Sequence, residues 1–333
     1  MIPQAIAVMN GKGGVGKTSL VANLAGLAAA AGWRVLAVDL DQQGNLESRL
    51  GYQDRSDQGD GLVAAALDLE PLVVVEAVRP NLDAVAGGAA LRNLPNELIR
   101  RVATGVITDH RAATWLDEAL APLARRYDLV VFDTPPSGSA IHLAAAVAAH
   151  YVVVPTAPDR DSIEGLAEIA TLFAEVLDSW NRDIELLGVA LTLLVTGAVA
   201  IERRARDELG SILAPGLPVF DRTIRFAQKA ATHFAERGVL AHEYESEAAA
   251  AEPWFSRLRP PPEREPGSSP DETLTPGANA TARTAPDTTG EADETSPVAY
   301  SSAASGLAAD YEGVVNEILS AFSVRRQAMR RAS

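Results

Sequence analysis

The sequence of 333 residues contains no cysteine. This absence excludes disulfide bonds, thiolate metal sites, iron–sulfur clusters and cysteine nucleophiles. Aromatic residues make up only 5% of the chain, yet 47% of it is hydrophobic, which is ample material for a core. We find no run of eighteen strongly apolar residues, and the first residues lack the pattern of a signal peptide. The composition therefore predicts a cytoplasmic globular protein without a transmembrane helix.

Positive charge is scarce, and the formal net charge is −15. Such a surface repels nucleic acid and anionic lipid, so binding either of them requires a local basic patch. Lysine occurs only at Lys12, Lys17 and Lys229, and every other basic residue is arginine. Two of these three lysines lie in one glycine-rich loop. A compact ammonium group differs from a planar guanidinium in how it binds anions, so this loop is the first candidate site.

Apolar runs alternate with helical patterns along the first 250 residues. The runs lie at residues 5–9, 34–39, 129–133, 151–155 and 186–195. Leu20, Leu24 and Leu27 recur at helical spacing and predict a helix over residues 18–31. Continuous apolar runs are typical of parallel strands that are covered on both faces. We therefore predict an α/β fold with a doubly wound, mostly parallel sheet and helices on both faces.

The composition changes near Glu252. Residues 253–297 contain nine prolines together with many serine, threonine and acidic residues. Such a segment cannot bury enough apolar surface to offset the entropy lost on ordering. We therefore predict a globular domain over residues 1–250, a disordered insertion over 251–305, and a C-terminal helix over 306–333 that docks on the globular domain.

A candidate phosphate-binding loop follows the first predicted strand and leads into the first predicted helix. Its residues are Gly11, Lys12, Gly13, Gly14, Val15, Gly16, Lys17, Thr18 and Ser19. Glycines allow successive backbone N–H groups to converge on an anion, and the helix N-terminus adds partial positive charge. We expect Lys17 to reach the β- and γ-phosphates of a nucleotide, Thr18 to bind Mg²⁺ and Ser19 to bind the α-phosphate.

Lys12 makes this loop more specific than an ordinary phosphate-binding loop. The sequence KGGVGKT resembles the deviant Walker A motif of the ParA/MinD family of ATPases. The resemblance covers residues 1 to about 245 and the final helix. It implies ATP and Mg²⁺ as cofactors, slow hydrolysis stimulated by a partner, and a nucleotide-sandwich homodimer. In that dimer Lys12 would reach the phosphates bound by the partner subunit.

Two further segments carry the resemblance. DLDQQGN, after the second predicted strand, is similar to the DxDPQGN segment of the family. This likeness implies that Asp41 orients the attacking water and that Asp39 lies near the magnesium shell, although Gln42 stands where the family has proline. Residues 128–136 resemble a Walker B strand that ends in DTPP, which implies that Asp133 holds Mg²⁺ through water.

The segment after Asp39 favours the ParA branch over the MinD branch, and the lack of cysteine excludes the branches that need thiolates. The resemblance implies that the dimer binds double-stranded DNA non-specifically at the nucleoid and that a ParB-like or other adaptor stimulates hydrolysis. It places DNA contacts at Arg222 and Arg225. Residues 202–237 contain seven basic and five acidic residues, a local positive excess in an acidic chain.

Two alternative functions remain open. The first is a MinD-like positioning ATPase that binds membranes, because Phe322, Val324 and Met329 lie beside four arginines in the C-terminal helix. Most of the apolar stripe of this helix precedes the arginines, so we expect docking on the core and consider membrane binding disfavoured. The second is a nucleotide-binding adaptor with little turnover, which only Gln42 suggests.

Overall fold

One seven-stranded sheet organises the computed structural model, which describes residues 1–136, 140–212, 218–250 and 297–332. The strands are β1 (Ile2–Val8), β2 (Val35–Asp39), β3 (Val75–Arg79), β4 (Leu82–Val85), β5 (Leu129–Asp133), β6 (Ala149–Thr156) and β7 (Glu185–Leu191). Their order across the sheet is β3-β4-β2-β5-β1-β6-β7. Neighbouring strands are parallel except at one edge, where β3 and β4 are antiparallel.

Helices cover both faces of this sheet. They are α1 (Lys17–Ala30), α2 (Asn45–Leu50), α3 (Asp60–Asp68), α4 (Leu94–Ala103), α5 (Asp109–Ala124), α6 (Ala140–Ala148), α7 (Arg160–Ser179), α8 (Val199–Ile212), α9 (Gln228–Arg237), α10 (Ala241–Ala250) and α11 (Pro297–Ala332). One core cluster packs α3 to α8 on one face, and a second packs α1, α2, α9, α10 and α11 on the other. The predicted doubly wound α/β fold is confirmed. Within the described ranges, none of the helices has the length and apolarity needed to cross a bilayer.

The apolar runs located the central strands because these strands are buried on both faces. β5 has the predicted bounds, whereas β1 begins three residues earlier than predicted. The run at 186–195 was predicted too long, because β7 ends at Leu191 and Leu193 adopts a left-handed backbone conformation with φ 57°. The edge strand β3 and its neighbour β4 were not predicted. They are short, and β3 is largely exposed, so neither forms a continuous apolar run.

Helix α11 packs along the face that also carries α1. Its buried residues recur at helical spacing and include Leu307, Tyr311, Ile318 and Phe322. The ring of Phe322 lies 5.9 Å from that of Trp33 and 5.4 Å from that of Tyr151, measured between centroids. The helix begins at Pro297, nine residues before the predicted boundary at 306. Residues 251–296 of the predicted insertion lie outside the described residues.

Acidic side chains of α11 fix it to the segment before α9. The guanidinium of Arg225 donates to both carboxylate oxygens of Asp310 at 2.6 and 2.9 Å. The backbone N–H groups of Asp221 and Arg222 donate to Glu317 at 2.7 and 2.9 Å. These charge-assisted bonds set the register of α11 against the segment, which borders the site described below.

We predict that Phe322→Ala lowers the free energy of unfolding by about 3–5 kcal/mol, because the ring is fully buried and leaves a cavity. Urea denaturation of the full chain measures the change. Val324→Ala is the matched control, because Val324 is 68% exposed on the same helix and its loss is expected to change stability by less than about 0.5 kcal/mol. Equal stability of both variants would contradict the packing of α11 described here.

Candidate functional site

The candidate site lies where the carboxyl ends of the central strands meet. Across the sheet, Val8 at the end of β1 pairs with Asp133 at the end of β5, and Asp133 pairs with Asp39 at the end of β2. The segments that follow these strands therefore leave the sheet at one edge. This edge of an open parallel sheet is where ligands bind in α/β folds.

The predicted phosphate-binding loop connects β1 to α1. Gly14 and Gly16 have φ values of 79° and 86°, which side chains of L-residues disfavour, so glycine is required at both positions. Helix α1 begins at Lys17 without a side-chain cap and without an acidic residue in its first turn. Its first N–H groups and its partial positive charge therefore remain available to an anion.

Lys17 lies inside the loop. Its side chain is only 6% exposed, and its Nζ donates to the carbonyl oxygens of Asn10 and Lys12 at 3.2 and 2.9 Å. Burial lowers the pKa of this ammonium group, whereas the carboxylates of Asp133 and Asp41 oppose that effect. A phosphate group in the loop would therefore meet a positive charge that is already held in place.

Lys12 points away from Lys17 and out of the loop. Its Nζ contacts Asp159 at 2.6 Å and Asp161 at 3.6 Å, and its side chain is 34% exposed. The hydrogen bond with Asp159 raises the pKa of Lys12. Asp159 is also the N-cap of α7, where it accepts from the N–H of Ser162 at 2.9 Å. The two loop lysines therefore occupy different environments within one chain.

Two buried side chains that were not predicted hold the loop in place. Asn10 donates to the carbonyl of Pro155 at 2.8 Å and accepts from the N–H of Lys12 at 2.8 Å, which ties the loop to β6. Thr192, just after β7, donates to the carbonyl of Val15 at 2.8 Å. A polar residue directly after an apolar strand was a signal for Asn10. No local signal marked Thr192, because its partner is 177 residues away.

Asp39 and Asp41 differ in their surroundings, because Asp39 is bonded to the backbone in the interior and Asp41 lines the cleft. Asp39 is fully buried, and its two oxygens accept from the N–H groups of Asp41 and Leu46 at 2.9 and 3.1 Å. Burial and the nearby Asp133 raise its pKa despite those bonds. Asp39 therefore shapes the segment between β2 and α2. Asp41 lines the cleft, with one oxygen accepting from the N–H of Gln43 at 3.0 Å.

Asp133 is the least satisfied charged group of the site. It is fully buried, and neither carboxylate oxygen receives a hydrogen bond of ordinary geometry from the described residues. Burial raises its pKa to about 7, against the opposing effects of the nearby Thr18 hydroxyl and the Lys17 ammonium. A buried carboxylate in this state suits a hydrated cation, because water ligands would satisfy its oxygens.

A cleft of about 540 Å³ extends from the loop, which is within the usual range for small-molecule sites. The phosphate-loop residues Gly13 to Ser19, apart from Val15, form one end of it. Apolar side chains from distant segments line the other end, and these include Ile224, Phe226, Leu307 and Tyr311. A polar end beside an apolar end suits a nucleotide. The contribution of α11 to this wall was not predicted, because Tyr311 is far from the loop in sequence.

A family model described as an AAA domain matches residues 3–186. The chain is 34% identical over 196 residues to the chromosome partitioning protein ParA of Myxococcus xanthus, a match that covers 58% of this chain and 65% of that protein. It is 39% identical over 188 residues to the chromosome-partitioning ATPase Soj of Thermus thermophilus, which covers 56% of this chain and 68% of that protein. The chain belongs to the ParA/MinD family of P-loop ATPases.

Solved structures agree with this membership of the ParA/MinD family. Cobyrinic acid a,c-diamide synthase of Mycobacterium smegmatis, with an ATP analogue and magnesium, is 28% identical with a TM-score of 0.58 and covers 71% of this chain and 92% of its own. MinD of Pyrococcus horikoshii, with Mg-ADP, has the same fold at 20% identity and a TM-score of 0.55, covering 73% and 89%. Both of these proteins were therefore solved with magnesium and with a nucleotide or a nucleotide analogue.

The two arginines predicted to contact DNA both face acidic residues of α11. The side chain of Arg225 is 33% exposed and is engaged by Asp310, so its charge is largely neutralised. Arg222 is exposed, but its backbone N–H is bound by Glu317 and its side chain lies along α11 near Gly313. The local positive excess counted along the sequence did not include these partners, because they lie 85 to 95 residues further along the chain.

We predict that Lys17→Ala weakens ATP binding by about 100-fold or more, because a charged hydrogen-bonding group is removed from the phosphate end of the cleft. Fluorescence titration with a labelled ATP analogue measures the affinity. Lys229→Ala is the control, because Lys229 is exposed and does not line the cleft. Unchanged affinity of the Lys17 variant would refute the phosphate-binding role of the loop.

We also predict a pH-dependent effect of Asp133→Asn. The pKa of Asp133 is raised in the folded chain, so folding binds a proton between about pH 4 and 7 and stability falls as the pH rises through this window. Without nucleotide and magnesium, the variant should therefore be more stable than the wild type at pH 8, by up to a few kcal/mol, and similar to it near pH 4. Chemical denaturation across this range measures the difference, with the exposed Asp178→Asn as control. A difference that does not change with pH would contradict the assigned environment.

Proposed function

We propose that this chain is a ParA-like ATPase that binds ATP and Mg²⁺, forms an ATP-sandwich homodimer and hydrolyses ATP to segregate or position DNA or another cargo. The observation that carries the proposal is the different placement of the two loop lysines. Lys17 lines the cleft, whereas Lys12 lies outside it and forms an ion pair with Asp159. A site that is built for phosphate but holds one of its lysines outside suits completion by a second subunit.

We propose that Thr18 and Asp133 hold the magnesium ion, Thr18 directly and Asp133 through water. Both unsatisfied oxygens of Asp133 fit this role, and Thr18 lies at the phosphate end of the cleft. Magnesium, when bound, neutralises charge on the phosphates. Asp39 was expected near the magnesium shell, but its oxygens accept two backbone N–H groups. Its proposed role is therefore to position the segment that carries Asp41.

Hydrolysis requires a group that orients water toward the γ-phosphate, and we assign this role to Asp41. Its side chain is 8% exposed and lines the cleft beside the phosphate end. The bond from Gln43 holds one oxygen, and the second oxygen accepts no hydrogen bond from the described part of the chain. Gln42 is exposed and leaves this arrangement in place, so we favour turnover over a non-hydrolysing adaptor.

Lys12 is assigned to the phosphates of the opposite subunit, where it would act as a charge supplied in trans. To do so it must leave Asp159. Breaking this partly exposed ion pair costs little free energy, because water solvates both charged groups once they separate. ATP binding by two chains would then exchange an internal ion pair for one across the dimer, which ties dimer formation to the nucleotide.

We propose that the dimer acts in the cytoplasm on the nucleoid, where it binds DNA non-specifically and an adaptor of the ParB kind or another kind stimulates hydrolysis. The names of the relatives as chromosome partitioning proteins support a DNA cargo. The membrane-bound alternative is less well supported. Phe322 is buried, and among the large hydrophobic side chains of the described part of α11 only Val324 is strongly exposed, so the helix lacks an apolar face for lipid.

The test compares ATP affinity with ATP-dependent dimer formation in Lys12→Ala. We expect monomer affinity close to that of the wild type, because Lys12 lies outside the cleft, together with loss of the dimer seen by light scattering after gel filtration. Asp159→Asn keeps the N-cap of α7 but weakens its hold on Lys12, so we expect dimers at lower ATP concentration. A stable ATP-dependent dimer of Lys12→Ala would show that Lys12 has another role.

A further inference from the structure

Arginines are concentrated at the amino ends of the strands, on the side of the sheet opposite the cleft. We call this region the basic edge. It consists of Arg34, Arg125, Arg126, Arg182, Arg325, Arg326, Arg330 and Arg331. The first four precede the amino ends of β2, β5 and β7, and the last four lie in the last two turns of α11. Six carboxylates accompany these eight arginines, from Glu76, Asp83, Asp117, Asp128, Asp183 and Glu185. The excess is positive in a chain whose net charge is −15.

The end of α11 is fixed across this edge. Arg326 donates to the carbonyl of Asp128 before β5 at 2.6 Å, and Arg325 donates to the carbonyl of Leu186 in β7 at 2.7 Å. The guanidinium of Arg326 also lies 5.6 Å from the centre of the buried Phe322 ring. These contacts place the last turn of the helix, with the exposed Arg330 and Arg331, at the rim of the sheet.

Five of the eight arginines of the basic edge form no ion pair with a described residue, and one of them, Arg326, donates to a backbone carbonyl. Arg34 pairs with Asp128, Arg126 with Glu76 and Arg325 with Glu185, whereas no ion pair is found for Arg125, Arg182, Arg330 or Arg331 among the described ranges. All four of these arginines are exposed. Burial and the neighbouring Arg330 lower the pKa of Arg326, as expected where like charges lie close together. An anion at this edge would relieve that repulsion.

We propose that the basic edge binds the phosphate backbone of double-stranded DNA without reading base sequence. From the end of α1 before β2 to the start of β7 the edge spans four strand spacings, or about 19 Å. A duplex presents on the order of ten phosphate charges over that length. Arginine suits this ligand because its planar fork binds phosphate oxygens through two N–H groups. The choice of DNA rests on the proposed function.

The DNA-binding surface predicted from the sequence, at Arg222 and Arg225, is the alternative to the basic edge. Arg225 is paired with Asp310 and Arg222 lies along the same helix, so that surface offers little free positive charge. The basic edge lies at the amino ends of the strands, whereas the cleft lies at their carboxyl ends. DNA bound at the edge would therefore leave the cleft open to nucleotide.

Fluorescence anisotropy with a labelled duplex of arbitrary sequence, across a salt titration and with ATP, ADP or no nucleotide, tests the proposal in the full chain. We expect Arg330→Ala/Arg331→Ala to bind DNA roughly tenfold more weakly at low salt, with a salt slope smaller by about 2, because two phosphate contacts are lost. ATP affinity and thermal stability should stay unchanged. Arg203→Ala/Arg204→Ala is the matched control, because it removes two exposed adjacent arginines from α8.

The other outcomes distinguish a failure of this inference from a failure of the proposed function. DNA binding that survives Arg330→Ala/Arg331→Ala but is lost in Arg222→Ala/Arg225→Ala would overturn the inference and leave the function intact. Equal weakening in the α8 control would also overturn it, because net charge alone would then explain the effect. DNA binding that depends on the basic edge but not on ATP would support the inference and contradict the proposal that the ATP-bound dimer is the form that binds DNA. If Arg330→Ala/Arg331→Ala lost binding to anionic vesicles while its DNA binding stayed unchanged, the edge would be assigned to lipid and the inference would be overturned.

Discussion

The proposed nucleotide site is organised around a buried carboxylate that the described residues leave without a hydrogen bond. Asp133 lies at the end of a central strand, with Asp39 beside it in the sheet and the Lys17 ammonium near enough to affect its pKa. An isolated buried charge is unfavourable unless it is paired or hydrated, so this arrangement is completed by a ligand that supplies both a cation and an anion. A magnesium nucleotide has that composition. The fixed loop and the cleft follow from the same requirement.

Under the proposed function a single chain is an incomplete enzyme, and the placement of the two loop lysines supports this view. One lysine lies inside the phosphate end of the cleft, and the second is held outside by the residue that caps α7. The wall at the far end of the cleft comes partly from α11, which returns to the site after residues 251–296. A nucleotide in the cleft would thus contact residues from both the first and the last described helices. The positive charge that we propose binds DNA lies at the basic edge, on the side of the sheet opposite the cleft.

Sequence reasoning succeeded where the signal was local. The central strands are buried on both faces and form continuous apolar runs, and the phosphate loop combines glycines with a lysine at fixed spacing. It failed where the partner of a residue is distant in sequence. Thr192 supports the loop from across the sheet, Tyr311 lines the cleft from the last helix, and Asp310 neutralises an arginine 85 residues earlier. The neighbours of Asp39 in the chain could not reveal that its oxygens accept two backbone N–H groups, and its place near the magnesium shell stays a prediction.

The most direct test of catalysis across the dimer is hydrolysis by a mixture of two inactive variants, Lys12→Ala and Asp41→Ala. If Lys12 acts across the dimer, the mixed dimer contains one complete site, formed by the loop and Asp41 of the first variant and the Lys12 of the second. We expect mixing to restore ATP hydrolysis well above that of either variant alone, with a dependence on the ratio of the two chains. Hydrolysis that stays at the average of the separate variants would contradict action in trans and, with it, the sandwich dimer as the working form of this protein.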